Sequence, residues 1–129
     1  MAPAQVNQSI IKGFEVLQEV ISLGVPVGSR EVARRLSMEH SKANRILGTL
    51  EATGMLARND EGKYSVGPGI HVLSALSLHA SGLIPAALPV LRRFQRQGGT
   101  VALGVRWRSS VAYLLHARPG QSLPRSAGA

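Results

Sequence analysis

The sequence contains no cysteine, only five aromatic residues (one Trp, two Tyr and two Phe) and no acidic residue after Glu61. Without cysteine, a disulfide-stapled secreted scaffold and a thiolate zinc finger are excluded, and the composition fits a reducing cytosol. The N-terminus lacks the basic segment and apolar run of an export signal, and no stretch reaches the roughly 18 uninterrupted apolar residues that span a bilayer. We therefore expect a cytoplasmic protein with no membrane partner.

Catalytic and metal-binding motifs are missing as well. There is no Gly-x-Ser-x-Gly, no phosphate-binding Gly-Lys-Ser/Thr and no His-Glu-x-x-His. The Gly67-Pro68-Gly69 segment lacks the third glycine and the preceding parallel strand of a dinucleotide loop. The histidines after the first half, His71, His79 and His116, have no carboxylate or Cys at ligand spacing. We expect no enzymatic activity, no cofactor and no metal site.

Charge is distributed unevenly along the 129 residues, a length that suits one compact domain or a small domain plus a fragment. The net charge of +8 makes nucleic acid the leading partner class, with an anionic membrane surface as the alternative. All seven acidic residues lie at or before Glu61 together with about half of the basic ones, so the first half is nearly neutral. The second half carries only cations: Arg92, Arg93, Arg96, Arg106, Arg108, Arg118 and Arg125. Composition alone would place nucleic acid on that half, so the local pattern has to decide.

The hydrophobic periodicity of the first half predicts three helices and a hairpin. Residues 8–22 form an amphipathic helix whose apolar stripe is interpreted as core, with a second role in a dimer contact left open. A short extended segment spans 25–27, Ser29 caps a second helix that runs to about 36, and a tight turn at 37–39 leads to a third helix over 40–53. Gly54 closes this helix, and residues 55–66 alternate like a hairpin. The stripe consists of Ile10, Phe14, Leu17 and Ile21, and the inward hairpin positions are Leu56, Tyr64 and Val66.

The second half predicts a helix over 70–80, a break at Ser81-Gly82 and a further helix over 89–97 that begins at Pro89, since proline is tolerated best in a first helical turn. Two strands, 100–105 and 111–116, follow across residues 108–110, and the tail from Arg118 has no periodicity. The predicted domains are therefore 1–67, 68–84 and 85–129.

Two short helices joined by a three-residue turn define a helix-turn-helix unit, and the attached hairpin makes it a winged helix. Its expected core is Val32, Leu36, Met38, Ala43 and Ile46, with Ala33 and Ser37 small where the helices cross and where the chain turns. The opposite face of the third helix is rich in hydrogen-bond donors. Because Arg pairs with guanine and Asn with adenine in the major groove, Arg45 and Asn44 are predicted to read bases, together with Ser41 at the start of the helix.

A second set of residues is better suited to the DNA backbone, which Lys and Arg contact without reading sequence. In the second helix and at the start of the third, and at the two ends of the hairpin loop, the predicted backbone contacts are Arg30, Arg34, Arg35, His40, Lys42, Arg58 and Lys63. His40 is equally suited to a capping role. Asp60 and Glu61 at the hairpin tip argue against deep insertion of this wing into a groove.

Residues 29–56 and 63–67 resemble the DNA-binding domain of IclR-type bacterial transcription regulators. In that family the third helix carries Ser, then Arg four residues later, then two aliphatic residues, and the domain closes on Tyr-x-Leu-Gly. Ser41, Arg45, Ile46 and Leu47 match the first pattern, and Tyr64-Ser65-Val66-Gly67 matches the second with Val for Leu. The chain departs from the family at the turn, which reads Ser37-Met38-Glu39-His40 instead of Gly-Leu-Pro-Lys, and at Asn44, where the family often has an aromatic residue or His. These departures bear on the operator sequence rather than on the fold.

The resemblance continues more weakly into the second half. It implies that residues 70–80 form a linker helix through which such regulators dimerise, and that residues 89–116 begin an effector-binding domain that is truncated here. The expected fold is thus mainly α with small β: a winged helix-turn-helix domain, a linker helix and an incomplete α+β fragment.

The partners that the resemblance implies are double-stranded operator DNA, a second copy of the chain in a homodimer or higher oligomer, and a small-molecule effector in a complete homologue. Two alternatives stay open: a winged-helix protein-interaction module without specific DNA binding, and, less favoured, a sensor fragment. The sequence leaves open whether an effector would promote repression or activation.

Overall fold

The computed structural model describes residues 5–124 and confirms the expected fold class. The described part has five helices and two antiparallel strand pairs. In chain order they are α1 (Gln8–Leu23), α2 (Ser29–Arg35), α3 (His40–Ala52), β1 (Leu56–Arg58), β2 (Tyr64–Val66), α4 (Pro68–Ser81), α5 (Leu83–Arg96), β3 (Val101–Trp107) and β4 (Ser110–Ala117). The chain divides into two compact units, Met1–Leu73 and Ser74–Ala129, so the division falls within α4.

Helix α1 is capped at both ends by local chemistry. The side-chain oxygen of Asn7 accepts hydrogen bonds from the backbone N–H groups of Ser9 and Ile10 at 3.0 and 3.2 Å, which satisfies two donors that have no partner inside the helix. Gly24 ends the helix in the left-handed conformation with φ of 69°, a geometry that costs glycine nothing because it has no Cβ.

The face of α1 that the fold buries is not the predicted stripe. Val16 and Val20 are buried, whereas Ile10 and Phe14 are 57% and 53% exposed and Leu17 and Ile21 are only half-buried. At 3.6 residues per turn the stripe is rotated by roughly 100° from the buried valines. The interpretation of this stripe as core is therefore wrong for its N-terminal half. The helix is apolar on two sides, and α3 and β2 pack against only one of them.

Helices α2 and α3 form the predicted helix-turn-helix. Val32 of α2 and Leu47 of α3 belong to the same buried cluster. Ala33 of α2 and Ala43 of α3 are also buried, and small alanines allow two helices to approach closely. Ser37 adopts φ of 51° in the turn. The backbone N–H of Met38 donates to the carbonyl of Ala33 at 3.0 Å, which closes the end of α2.

The predicted N-cap of α2 is wrong by one residue. Gly28, with extended φ and ψ of −83° and 160°, is the cap, and Ser29 is the first helical residue. No side chain caps this end of α2. The hydroxyl of Ser29 instead hydrogen-bonds with the imidazole of His40, eleven residues later, so a long-range contact replaces the local one.

The hairpin packs on the helices through its inward side chains. Strands β1 and β2 are antiparallel, and Val27 adds a bridge to Tyr64 through N–O distances of 2.9 and 2.8 Å. Leu56 and Tyr64 are buried as predicted. Val66, predicted to point inward, is 38% exposed because it ends β2 at the margin of the core. The core of the first unit contains Val16, Val20, Val27, Val32, Leu47, Leu56 and Tyr64.

Helix α5 of the second unit begins at Leu83, so the prediction that this helix starts at Pro89 is wrong. Gly82 interrupts the chain as expected, with φ of 62°, and Pro89 lies inside the helix. An interior proline removes one backbone hydrogen bond and disfavours helix. The helix continues through Pro89 because Ile84, Leu88 and Leu91 recur at helical spacing and are all buried. Burial of this apolar side stabilises the helix on both sides of the proline.

Strands β3 and β4 form a hairpin against the end of α5. The two-residue turn is Arg108 and Ser109, and both strands are longer than predicted. A bulge lies between Leu103 and Gly104. Val101 and Ala117 pack with Leu91 in a small second core.

Within residues 5–124, no single helix is long and apolar enough to cross a membrane; α4 and α5 reach that length and composition only when taken together across their break.

Candidate nucleic-acid interface

The outer face of α3 is open to solvent. Ala43 and Leu47 turn the opposite side of the helix into the core, so Ser41, Asn44 and Arg45 are exposed along one side together with Lys42. Within residues 5–124, the side chains of Ser41, Lys42, Asn44 and Arg45 make no hydrogen bond or ion pair. The structure therefore brings the three predicted base-reading residues onto one surface and leaves their polar groups available.

The beginnings of α2 and α3 lie side by side. His40, the first residue of α3, places its Nε2 2.8 Å from the Oγ of Ser29, the first residue of α2. Arg30 is exposed next to this contact. Both helix N-termini carry backbone N–H groups without intrahelical partners and the positive end of a helix dipole, an arrangement that favours a phosphate. Arg30 and His40 are thus placed where the sequence analysis expected backbone contacts.

Arg34 and Arg35 are engaged within the protein, which the sequence analysis did not foresee. Arg34 makes a two-pronged ion pair with Glu31, with N–O distances of 2.9 and 2.5 Å. The hydrogen bond from Arg34 lowers the pKa of the exposed Glu31 carboxyl, and the same contact raises the pKa of Arg34. Arg35 reaches Glu19 of α1 at 2.5 Å and lies 3.8 Å from Glu31. The charges of both arginines are therefore partly neutralised.

Of the Glu31–Arg34 and Glu19–Arg35 ion pairs, only the first could have been predicted from sequence spacing. Glu31 and Arg34 are three residues apart on a helix, a spacing at which side chains of opposite charge meet. Glu19 and Arg35 are sixteen residues apart on different helices, so no local spacing could reveal that pair.

The wing holds its basic residues close to its own surface. The guanidinium of Arg58 lies over the ring of Tyr64, 5.6 Å from its centroid, and the ammonium of Lys63 is 3.8 Å from a carboxylate oxygen of Glu61. The side chain of Asn59 accepts hydrogen bonds from the N–H groups of Glu61 and Lys63, which orders the loop. The wing tip is therefore close to neutral, as Asp60 and Glu61 suggested.

A cavity of about 440 Å³ separates the N-terminal half of α1 from the exposed face of α3. Its wall contains a residue that sequence reasoning missed, Glu39, whose exposed carboxylate has no partner in the described part of the chain. The cavity is lined by Ser9, Gly13, Glu39, Ser41, Lys42, Arg45, Ile46, Thr49 and Leu50. The charged groups in this lining are the cations Lys42 and Arg45 and the anion Glu39.

A helix-turn-helix followed by a two-stranded wing, with an uncovered cationic third helix, defines a winged-helix DNA-binding fold. Comparison with known proteins makes this class more specific. Residues 9–60 match the family model of the IclR helix-turn-helix domain. Residues 9–60 are thus similar to the helix-turn-helix domain of IclR-type transcription regulators, in agreement with the resemblance seen in the sequence.

The similarity to individual proteins extends beyond this domain. The HTH-type transcriptional regulator BhcR of Paracoccus denitrificans is 29% identical over 118 residues, which cover 90% of this chain and 42% of BhcR. The crystal structure of an IclR family transcriptional regulator from Brucella abortus matches 99% of this chain and 49% of its own, with a TM-score of 0.79 and 22% identity. An IclR homologue from Microbacterium hydrocarbonoxydans, complexed with 4-hydroxybenzoate, matches 92% of this chain and 52% of its own, with a TM-score of 0.61 and 22% identity.

These matches support the fold of both compact units, because the structural similarity covers nearly the whole chain. The chain spans about half the length of the relatives it matches. The proteins to which it is similar are transcription regulators, not enzymes.

Proposed function

We propose that this chain is the DNA-binding portion of a dimeric, ligand-responsive transcription regulator that recognises a two-fold symmetric operator. The observation that carries this proposal is the outer face of α3, where Asn44 and Arg45 are exposed without partners while the other side of the helix is buried. A major groove about 12 Å wide admits such a helix. Since a function on chromosomal DNA belongs inside the cell, the protein would act in the cytoplasm.

Within this proposal, the residues of α3 divide by chemistry. The Arg45 guanidinium donates two hydrogen bonds to guanine, Asn44 pairs with adenine, and Ser41 contacts the adjacent base or phosphate at the helix start. Lys42, His40 and Arg30 contact phosphate near the two helix N-termini. Arg34 and Arg35 serve mainly to hold α2 in place, because Glu31 and Glu19 already bind them. Arg58 and Lys63 make only peripheral backbone contacts from the wing.

The dimer is supported by apolar surface that the monomer leaves uncovered. Helix α4 has no buried residue along its fourteen positions, and Val72, Leu73 and Leu76 are each more than half exposed. On α1, Ile10 and Phe14 are equally exposed. A soluble monomer rarely leaves several such residues on one helix. We therefore propose that α4 pairs with its counterpart in a second copy, with the exposed stripe of α1 as an additional contact.

The effector would bind outside the described residues. One helix and two strands do not enclose a small-molecule pocket, which usually buries most of its ligand. The IclR homologue complexed with 4-hydroxybenzoate supports the proposal that the regulator responds to a small molecule.

Salt dependence of duplex binding tests the proposal. Affinity for a 30-base-pair duplex should fall by orders of magnitude between 50 and 200 mM salt, because bound cations displace condensed counterions from DNA. Fluorescence anisotropy with labelled duplex measures this directly. The second candidate, a protein-interaction module, rests on the apolar surface of α4. It predicts self-association that salt hardly affects, together with no measurable duplex binding at 50 mM salt.

A further inference from the structure

The second compact unit carries strong positive charge without compensating acids. Its described residues include six arginines, and no acidic residue follows Glu61 in the sequence. Surfaces of folded domains usually mix both signs. The α3 interface uses none of these arginines.

Two of the arginines line one recess at the C-terminal end of α5. Arg92 and Arg96 are four residues apart, so their side chains lie on the same side of the helix. With Gln95, Gln121, Ser122 and Leu123 they surround a volume of about 390 Å³. No carboxylate lies in this lining.

The far wall of the recess is fixed in place by Gln95. Its side-chain amide donates to the backbone carbonyls of Arg118 and Gln121 at 2.9 and 2.7 Å. The amide of Arg118 in turn donates to the side-chain oxygen of Gln121 at 2.8 Å. The segment after β4 is thereby held against α5, and the hydroxyl of Ser122 remains as a further donor at the rim.

Among residues 5–124, the two guanidinium groups use few of their donors. Arg92 uses one nitrogen on the carbonyl of Pro124 at 3.3 Å, and Arg96 makes a long contact of 3.4 Å with the carbonyl of Arg92. A guanidinium has five N–H donors. The planar array of the remaining donors matches the oxygens of a phosphate group, which arginine commonly contacts through two parallel hydrogen bonds.

We propose that the recess around Arg92 and Arg96 is a second, sequence-independent nucleic-acid contact that holds a phosphate of the DNA backbone. A nucleic acid fits better than a single small anion, because the cations continue beyond the recess along the same unit, at Arg93 and Arg118. The contact adds affinity without base preference. It goes beyond the proposed role of α3 and does not depend on which bases α3 reads.

The test compares two double variants of the full chain that remove the same amount of charge. Arg92→Gln with Arg96→Gln empties the recess of cations, whereas Arg106→Gln with Arg108→Gln removes two charges and leaves the recess and the adjoining Arg93 and Arg118 intact. Binding to a random-sequence 40-base-pair duplex is measured by anisotropy from 50 to 200 mM salt. The recess pair should lower affinity at least tenfold at 50 mM and reduce the slope of log affinity against log salt by about 0.9, the contribution of one phosphate contact. The control pair should change affinity less than threefold.

Equal losses of duplex affinity in the two variants would show diffuse electrostatic attraction and contradict a site at the recess. No loss of affinity in either variant would also contradict it. Circular dichroism verifies that both variants fold. Amide NMR signals of Gln95 and Ser122 supply a second measurement: they should shift on addition of duplex. Shifts with millimolar inorganic phosphate but none with duplex would assign the recess to small anions and contradict the proposal.

The outcome is separable from the proposed function of α3. If Lys42→Ala with Arg45→Ala leaves duplex affinity unchanged while the recess variant lowers it, the α3 assignment fails and the recess stands. If instead the α3 variant lowers duplex affinity and the recess variant does not, the recess assignment fails and the α3 assignment stands.

Discussion

The imidazole of His40 and the hydroxyl of Ser29 are hydrogen-bonded at 2.8 Å, so the first residues of α2 and α3 are joined directly. The turn between the two helices fixes their crossing, and this contact fixes the separation of their N-termini. Both ends would face the DNA backbone in the proposed complex. The bond therefore pre-forms the surface instead of leaving two mobile side chains to be ordered on binding.

Replacing Ser29 with Ala should lower the free energy of unfolding by about 0.5–1.5 kcal/mol, the usual net contribution of one hydrogen bond. Urea denaturation followed by circular dichroism measures this value. Ser9→Ala on α1, whose hydroxyl makes no hydrogen bond in the described part, is the matched control and should change stability less. Equal effects of the two substitutions would argue against a structural role for the Ser29–His40 contact.

Arg45→Ala should reduce the affinity for the preferred operator by about 1–3 kcal/mol and relax the base preference at one position. Lys42→Ala should lower the affinity for duplexes of any sequence to a similar degree, because a phosphate contact carries no sequence information. Selection of binding sites from a random library, followed by anisotropy on the selected and random duplexes, distinguishes the two. Unchanged affinities of Arg45→Ala for both duplexes would show that this residue does not read bases.

Leu47→Ala should destabilise the first unit by about 2–5 kcal/mol, because the side chain is fully buried at the centre of the core and its removal leaves a cavity. Val25→Ala is the control, because Val25 is 62% exposed and lies outside the proposed dimer contacts; it should change stability by less than about 0.5 kcal/mol. Thermal unfolding of dilute protein measures both. A loss below about 1 kcal/mol for Leu47 would contradict the observed packing of α3.

The Glu31–Arg34 pair predicts how stability depends on pH. The folded protein lowers the pKa of Glu31, so the pair contributes stability above the pKa of this carboxyl in the unfolded chain. That contribution disappears as the pH falls through the lower folded value. Wild type should thus exceed Arg34→Gln in melting temperature at pH 6, and the difference should shrink towards pH 3. Because the groups are exposed, the effect should be small and should decrease at high salt. A difference that persists unchanged at pH 3 would mean that Arg34 acts by another contact.

The 129-residue chain should aggregate more readily than a chain that ends at Ala80. In the second unit, Trp107, Val111 and Tyr113 are at least half exposed, and β3 and β4 pair only with each other. Apolar faces and unpaired strand edges promote association. Light scattering at equal concentration compares the two chains. Similar scattering would indicate that the hairpin is not the source of association.

The sequence by itself determined the local elements of the first unit. The helix-turn-helix followed from helical periodicity, from the small residues of the turn and from the glycine after α3. The wing followed from the alternation of apolar and polar residues around a loop at Asn59–Gly62. The exposed face of α3 followed from the same periodicity, because burial of Ala43 and Leu47 on one side directs Arg45 to the other. The motif around Ser41 and Arg45 indicated the resemblance to IclR-type regulators.

Only the tertiary structure decided which apolar surfaces are packed against other elements and which charged side chains are paired. Periodicity shows that α1 has apolar sides, but the packing of α3 and β2 selects Val16 and Val20 and leaves Phe14 exposed. Helical periodicity places Arg35 on the exposed side of α2, but only the fold brings Glu19 of α1 close enough to pair with it. Helix α5 runs through Pro89 because buried side chains on both sides outweigh the lost hydrogen bond. In each case the deciding free energy comes from contacts between residues distant in sequence, which no local pattern contains.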